Sequence, residues 1–234
     1  MLGECHAHMI MDGVNYRAAA ALHKDHVCEE AVRRHLKESQ EAGIRFVRDG
    51  GDAREVSKLA RELAPEYGIE YRTPIFAIHK KGHYGGIVGH PFDGWKEYEA
   101  LVKRAKEEGA DFIKIMVSGL LDFSRAGILT EEGLSGEEIR RMIGTAHDAG
   151  MAVMAHCNGD RTCYLTLEAG VDSLEHGFFM EEETLSLLAE RGIPWFPTFA
   201  PVGNLLGCGR FPDEEVQKNL DMQLARVKKA ASQK

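Results

Sequence analysis

The sequence predicts an α/β protein, because short β-rich runs alternate with longer amphipathic stretches along its 234 residues. Seven strands are expected, at Gly3–His8, Ile44–Arg48, Tyr71–Ala77, Phe112–Val117, Ala152–His156, Ser173–His176 and Pro194–Thr198. Helices are expected between them, at Val27–Glu41, Ala53–Leu63, Trp95–Glu108, Ser135–Ala149, Arg161–Ala169 and Glu181–Glu190, and a last one at Asp213–Ala231. Glycine follows several of these helices, where a C-cap residue is favoured. The recurring order of helix, glycine and strand is typical of a parallel sheet with crossover helices.

Length and composition favour a single domain over residues 1–234, since apolar residues make up 44% and charged residues 28%. The net charge of -8 gives no general attraction to nucleic-acid phosphates or anionic lipid. No apolar run reaches the roughly 18 residues of a membrane span, and no basic-then-apolar leader opens the chain. We expect a cytoplasmic protein with a small-molecule substrate and no nucleic-acid or membrane partner. The oligomeric state stays open and includes a homo-oligomer.

The five cysteines are odd in number and widely scattered, so we expect reduced thiols. No C-x-x-C pair is present, and a cysteine zinc cage is therefore not indicated. The eleven histidines are more informative, because His is the commonest metal ligand.

Two of these histidines, His6 and His8, end the first predicted strand and share one face, because side chains alternate with a period of two. An isolated H-x-H pair is equally well explained as a surface accident or a tag remnant. His156 and His176 each end another predicted strand, so three strands would place imidazoles at the same edge of the predicted sheet. Each histidine alone is better explained as a core or loop residue, whereas the joint arrangement predicts a metal site.

Lys114 lies in a run that is otherwise apolar enough to be buried on both faces. A buried ammonium is costly unless it is paired or neutralised. One interpretation is a snorkelling lysine near a strand end. The other is a carbamate formed with carbon dioxide, a two-oxygen anion that could bridge two metal ions.

The segment from His79 to Gly94 is predicted to be a long loop, and long loops in compact domains are usually functional. Its His83 and Tyr84 either face substrate or form an exposed pair. Asp49 precedes two glycines and is more simply a turn residue than a carboxylate that supports the site or handles a proton. Cys157 directly follows a candidate ligand and is expected to point away from the metal. Trp195 and Phe196 are expected in the core.

Five segments carry a resemblance to the amidohydrolase superfamily, in its prolidase-like and imidazolonepropionase-like branch of binuclear metal hydrolases. They are ECHAH at 4–8, GIRFVRDGG at 43–51, GADFIKIMVSG at 109–119, AHCNG at 155–159 and GVDSLEHG at 170–177. They occur in the family's order and cover most of the chain. The resemblance implies a (β/α)8 barrel of the TIM type.

The same resemblance implies two divalent metal ions, which we expect to be Zn²⁺. His6 and His8 would hold the more buried ion, His156 and His176 the more exposed one, and carboxylated Lys114 would bridge them. Manganese, cobalt and iron also suit this ligand set. A hydroxide between the ions would be the nucleophile and would attack a carbonyl carbon.

Two departures from the family pattern concern the ends of the chain. The small β-sandwich of most relatives has no counterpart before the first strand. No eighth strand, and no Asp to shuttle the proton at its end, follows Asp213–Ala231. We therefore expect a barrel truncated after its seventh strand and helix, with the natural chain continuing beyond Lys234. The alternative is a gap filled by a neighbouring chain.

The resemblance implies hydrolysis of an amide or other C–N bond in a dipeptide, an N-acyl amino acid or a cyclic amide. A lactonase or phosphotriesterase is the alternative within the class, because the same metal pair can attack an ester or phosphoryl centre. A catalytically incompetent, truncated barrel is the non-enzymatic alternative, and the missing Asp is the feature that separates it from an enzyme.

Overall fold

A computed structural model describes residues 2–232 of the chain. They form two compact units: the first runs up to Lys81 and includes Gly85–Lys114, and the second comprises Gly82–Tyr84 and the chain from Ile115 onward. The chain leaves the first unit within β6 (Ile113–Met116). The single domain expected for residues 1–234 stays a prediction.

The first unit contains five parallel strands and four α-helices in its described part. In chain order these are β1 (Leu2–Ala7), α1 (Tyr16–Leu22), α2 (Glu29–Glu41), β2 (Ile44–Asp49), α3 (Val56–Leu63), a 3-10 helix (Ala64–Tyr67), β3 (Glu70–Arg72), β4 (Ala77–Lys80), β5 (Gly89–Phe92) and α4 (Trp95–Glu107). β2 pairs in parallel with β1 and with β3, and β4 pairs in parallel with β5. The amphipathic helices α2 and α3 bury Leu36 and Val56 in a core that also holds Ile10 and Val47.

The second unit repeats the strand–helix order. Its elements are α5 (Gly136–Asp148), β7 (Val153–Cys157), α6 (Asp160–Glu168), β8 (Ser173–His176), α7 (Glu182–Glu190), β9 (Trp195–Phe196), α8 (Ala200–Gly203) and α9 (Asp213–Ala231). β8 pairs in parallel with β7 and β9, and Cys157 stands opposite His176. A second core contains Phe178, Val202 and Val216, the last of which is contributed by α9.

Two sequence predictions about strands are wrong in detail. The third predicted strand, Tyr71–Ala77, is two strands, because Pro74 lacks a backbone N–H and Ile75 adopts a φ of 68°. The predicted loop from His79 to Gly94 contains the end of β4 and all of β5. None of the helices within residues 2–232 is both long and apolar enough to cross a bilayer.

Candidate metal centre

The first histidine pair, His6 and His8, lies at the carboxyl end of β1. Their ring centroids are 5.5 Å apart, with an angle of 75° between the ring planes. Two imidazoles bound to one tetrahedral ion at about 2.0–2.1 Å place their centroids about 5 Å apart. The pair therefore fits two ligands of a single ion.

The imidazole of His8 is oriented by the turn after β2. Its Nδ1 lies 2.9 Å from the carbonyl oxygen of Gly51, so Nδ1–H donates and the lone pair remains on Nε2. A Cβ atom on Gly50 would overlap Cε1 of His8. The ring thus packs directly against the backbone of Gly50, a position that tolerates no larger residue without displacing it.

Asp49 is completely buried (0% exposed) and bonds both the residue after His8 and Gly51, whose carbonyl His8 contacts. Its carboxyl oxygens accept hydrogen bonds from the backbone N–H of Met9 (2.7 Å) and of Gly51 (2.6 Å) and from the hydroxyl of Tyr71 (2.8 Å). The contact to Gly51 is the turn interaction expected from the sequence, while those to Met9 and Tyr71 go beyond that expectation. Burial, with the nearby charge of Asp52, raises the pKa of Asp49 to about 7.

Lys114 is 1% exposed, and its neighbours on β6 are equally buried. Such a position is costly for an ammonium group that is neither paired nor neutralised. The burial expected from the sequence is confirmed.

The second pair, His156 and His176, ends β7 and β8. The ring centroids lie 4.5 Å apart at an interplanar angle of 64°, which again fits two ligands of one ion. The Nε2 of His156 lies 3.1 Å from the carbonyl oxygen of Gly119, so Nε2–H donates and Nδ1 carries the lone pair. The Nδ1 of His176 lies 2.6 Å from the hydroxyl oxygen of Thr198, which can accept from Nδ1–H and leave the lone pair on Nε2.

The predicted substrate-facing residues His83 and Tyr84 are held by Glu131. The carboxylate of Glu131 accepts from the backbone N–H of Tyr84 at 2.7 Å, and its other oxygen lies 3.8 Å from Nδ1 of His83. The ring of Tyr84 lies 5.1 Å from the ring of His156, measured between centroids. Tyr84 therefore packs beside the second histidine pair.

Two further predictions concern residues beside that pair. Cys157 is buried, and its Sγ lies 3.5 Å from the hydroxyl of Thr166 on α6; that it points away from a metal stays a prediction. Trp195 and Phe196, expected in the core, are only partly buried. Trp195 also has a polar contact: its indole Nε1–H donates to the carbonyl oxygen of His176 at 3.0 Å.

Within residues 2–232, no three His, Cys, Asp or Glu side chains form a group that could hold a metal ion. The structure thus shows two histidine pairs, and the convergence of all five predicted ligands stays a prediction. Sequence reasoning missed Asn158, Thr198 and Gln223. Asn158 could have been found, because it lies two residues after His156 and donates to the same Gly119 carbonyl.

Parallel strands joined by helices, with imidazoles at the carboxyl ends of three strands, define an α/β protein with two candidate metal-binding histidine pairs. Residues 4–203 match the Amidohydrolase family, and the chain belongs to this family. Among curated relatives, the ochratoxinase of Aspergillus niger is 30% identical over 139 residues, which are 59% of this chain and 27% of the ochratoxinase. An uncharacterized protein of Mycobacterium tuberculosis is 32% identical over 82 residues, 33% of this chain and 22% of that protein.

Solved structures resemble the chain over nearly its whole length. The crystal structure of A. niger ochratoxinase has a TM-score of 0.74 at 20% identity and covers 99% of this chain and 60% of that one. A Xaa-Pro dipeptidase with bound methionine in its active site has a TM-score of 0.69 at 23% identity, covering 99% and 63%. The predicted TIM-type barrel class is therefore confirmed. The chain spans less than two thirds of the length of each of these proteins.

Proposed function

We propose that this chain is the barrel of a metal-dependent hydrolase that cleaves an amide or other C–N bond in a small molecule. Dipeptides, N-acyl amino acids and cyclic amides are the proposed substrate classes. The observation that carries the proposal is the hydrogen bond made by one ring nitrogen of a histidine, which leaves the other nitrogen for a metal ion. His8, His156 and His176 each use one ring nitrogen to bond a protein oxygen, as metal-binding histidines do.

In this proposal His6 and His8 hold one divalent ion, His156 and His176 hold another, and Lys114 is a further ligand as its carbamate. Zinc suits the imidazoles and the carbamate oxygens. When bound, such ions polarise a carbonyl group and lower the pKa of water toward 7. The fit of each pair rests on its centroid separation, and the burial of Lys114 supports a group other than a free ammonium.

Other residues of the chain orient the histidine rings and are proposed to contact the substrate. The carbonyls of Gly51 and Gly119 fix which nitrogen of His8 and of His156 keeps its lone pair. Tyr84 presents an aromatic ring beside His156, and we propose that it and His83 contact the substrate. Membership of the amidohydrolase family supports the choice of an amide over other bonds.

The experiment is a zinc titration of the metal-free protein, followed by a screen of dipeptides, N-acyl amino acids and cyclic amides. We expect tight zinc binding, which His176→Ala weakens. His147→Ala is the matched control, because His147 pairs with Asp172 at the surface of the same unit (2.8 Å). Equal zinc binding by the wild type and His176→Ala would refute the metal centre, and zinc binding without turnover of any C–N substrate would refute the proposed reaction.

A further inference from the structure

The backbone of His176 adopts a conformation that a non-glycine residue rarely takes. Its φ is 69°, in the left-handed region, and its ring nevertheless has to be held in one orientation to serve as a ligand. Gly177 follows with a φ of 62°, and a Cβ atom there would lie 2.5 Å from Nε1 of Trp195. The end of β8 therefore needs support from outside its own strand.

That support comes from a side chain on the distant helix α9. Gln223 is 0% exposed, and its Nε2 donates to the carbonyl oxygen of His176 at 2.6 Å and to that of Pro197 at 3.2 Å. Pro197 precedes Thr198, whose hydroxyl meets Nδ1 of His176. One amide group thus fixes the backbone of His176 and, through the adjacent residue, the partner of its ring.

The amide of Gln223 combines two donated hydrogen bonds with one unmet acceptor. Its Oε1 is buried and has no hydrogen-bond partner among the described residues, which is a cost that an apolar side chain would avoid. The position belongs to the buried face of α9, one turn after Asn219 and two turns after Val216. A leucine or methionine there would remove the unpaired oxygen but would leave the carbonyls of His176 and Pro197 without the Nε2 donor.

We propose that Gln223 is a positioning residue that sets the orientation of His176 for divalent-metal binding. The proposal rests on the proposed function, because it needs His176 to be a ligand. Trp195 is the second donor to the His176 carbonyl and shares the task. Removal of either donor frees the left-handed segment to relax and to turn the imidazole away from its binding orientation.

The decisive variant is Gln223→Met, which keeps the length of the side chain and removes both hydrogen bonds. We expect its zinc affinity to fall by about 10- to 100-fold, the usual effect of losing a group that orients a ligand. Asn219→Leu is the matched control, since Asn219 is equally buried on α9 but accepts from the backbone of Gly127 instead (3.1 Å). The control should bind zinc as the wild type does, although both variants should shift Tm by a similar few degrees.

A metal-free measurement separates positioning from general stability. In long-range ¹H–¹⁵N spectra of the metal-free protein, the His176 signals, identified by their loss in His176→Ala, should report the Nδ1-protonated tautomer. Gln223→Met should convert them to a mixture of tautomers, and Asn219→Leu should not. If Gln223→Met does not fold, Trp195→Phe removes the other donor and should give the same two changes.

Wild-type zinc affinity and an unchanged tautomer in the folded donor variant would overturn the proposal, as would an equal loss of affinity in Asn219→Leu. The proposed function fails differently. If His176→Ala itself binds zinc as the wild type does, His176 is no ligand, whatever the Gln223 variants show.

Discussion

Replacing the buried Asp49 by asparagine should alter how the stability of the protein depends on pH. Burial and Asp52 raise the pKa of Asp49 from 3.8 to about 7, in spite of the hydrogen bonds donated by Met9, Gly51 and Tyr71. The folded state therefore holds a proton on Asp49 that the unfolded state releases near pH 4. Stability contributed by the protonated group is complete below pH 4 and is lost as the pH rises toward 7.

The size of this loss follows from the difference in pKa. A rise of about 3 pH units at 1.36 kcal/mol per unit corresponds to roughly 4 kcal/mol. The asparagine side chain in Asp49→Asn is an uncharged isostere of the protonated acid and removes the dependence. The free energy of unfolding of Asp49→Asn, minus that of the wild type, should therefore increase by roughly 4 kcal/mol between pH 4 and pH 8.

Urea unfolding of the metal-free wild type and of Asp49→Asn at half-unit pH intervals measures this difference in the free energy of unfolding. Subtracting one curve from the other cancels the contribution of the histidines, which both proteins share. Asp122→Asn is the control with the opposite sign. Arg125 and the backbone of Ser124 lower the pKa of Asp122, so its stabilising contribution is lost as the pH falls. A difference for Asp49→Asn that is constant from pH 4 to pH 8, or that falls with pH, would show that Asp49 is ionised in the folded protein and would contradict the raised pKa.

Two further predictions concern the proposed ligands. Lys114→Ala should lower bound metal from two ions toward one or none and abolish hydrolysis, because it removes the proposed carbamate; unchanged stoichiometry by elemental analysis would exclude Lys114 as a ligand. Gly50→Ala should weaken zinc binding about tenfold or more, because its methyl group would overlap the ring of His8. Gly86→Ala is its control, since among the described residues, its two chain neighbours aside, no atom lies within 4 Å of the added methyl group. Equal zinc affinities of Gly50→Ala and Gly86→Ala would contradict the predicted overlap with His8.

The parts of the fold that follow from local patterns could be predicted from the sequence. β8 and α9 have the predicted bounds, because a short segment between Gly170 and Gly177 and a long amphipathic stretch leave little choice. Pro74 signals the break after β3 in the sequence, but the left-handed φ of the β-branched Ile75 that follows is not predictable from its residue type. The helix α1 escapes prediction because its run of alanines lacks apolar periodicity.

The candidate site divides in the same way. The histidines are recognisable because each ends a strand, and strand ends gather at one edge of a parallel sheet. The groups that orient them are not. A glutamine 47 residues after His176 donates to its backbone, and no spacing rule connects the two positions. The sequence favours a turn role for Asp49 because sequence alone does not report that it is buried against Tyr71.

The proposed site holds one divalent ion at each histidine pair, a claim that the number of zinc ions bound per chain checks. Elemental analysis after zinc loading and removal of free metal should give two ions for the wild type. The double variants His6→Ala/His8→Ala and His156→Ala/His176→Ala should each retain at most one. Two ions in both double variants, or none in a folded wild type, would contradict the claim.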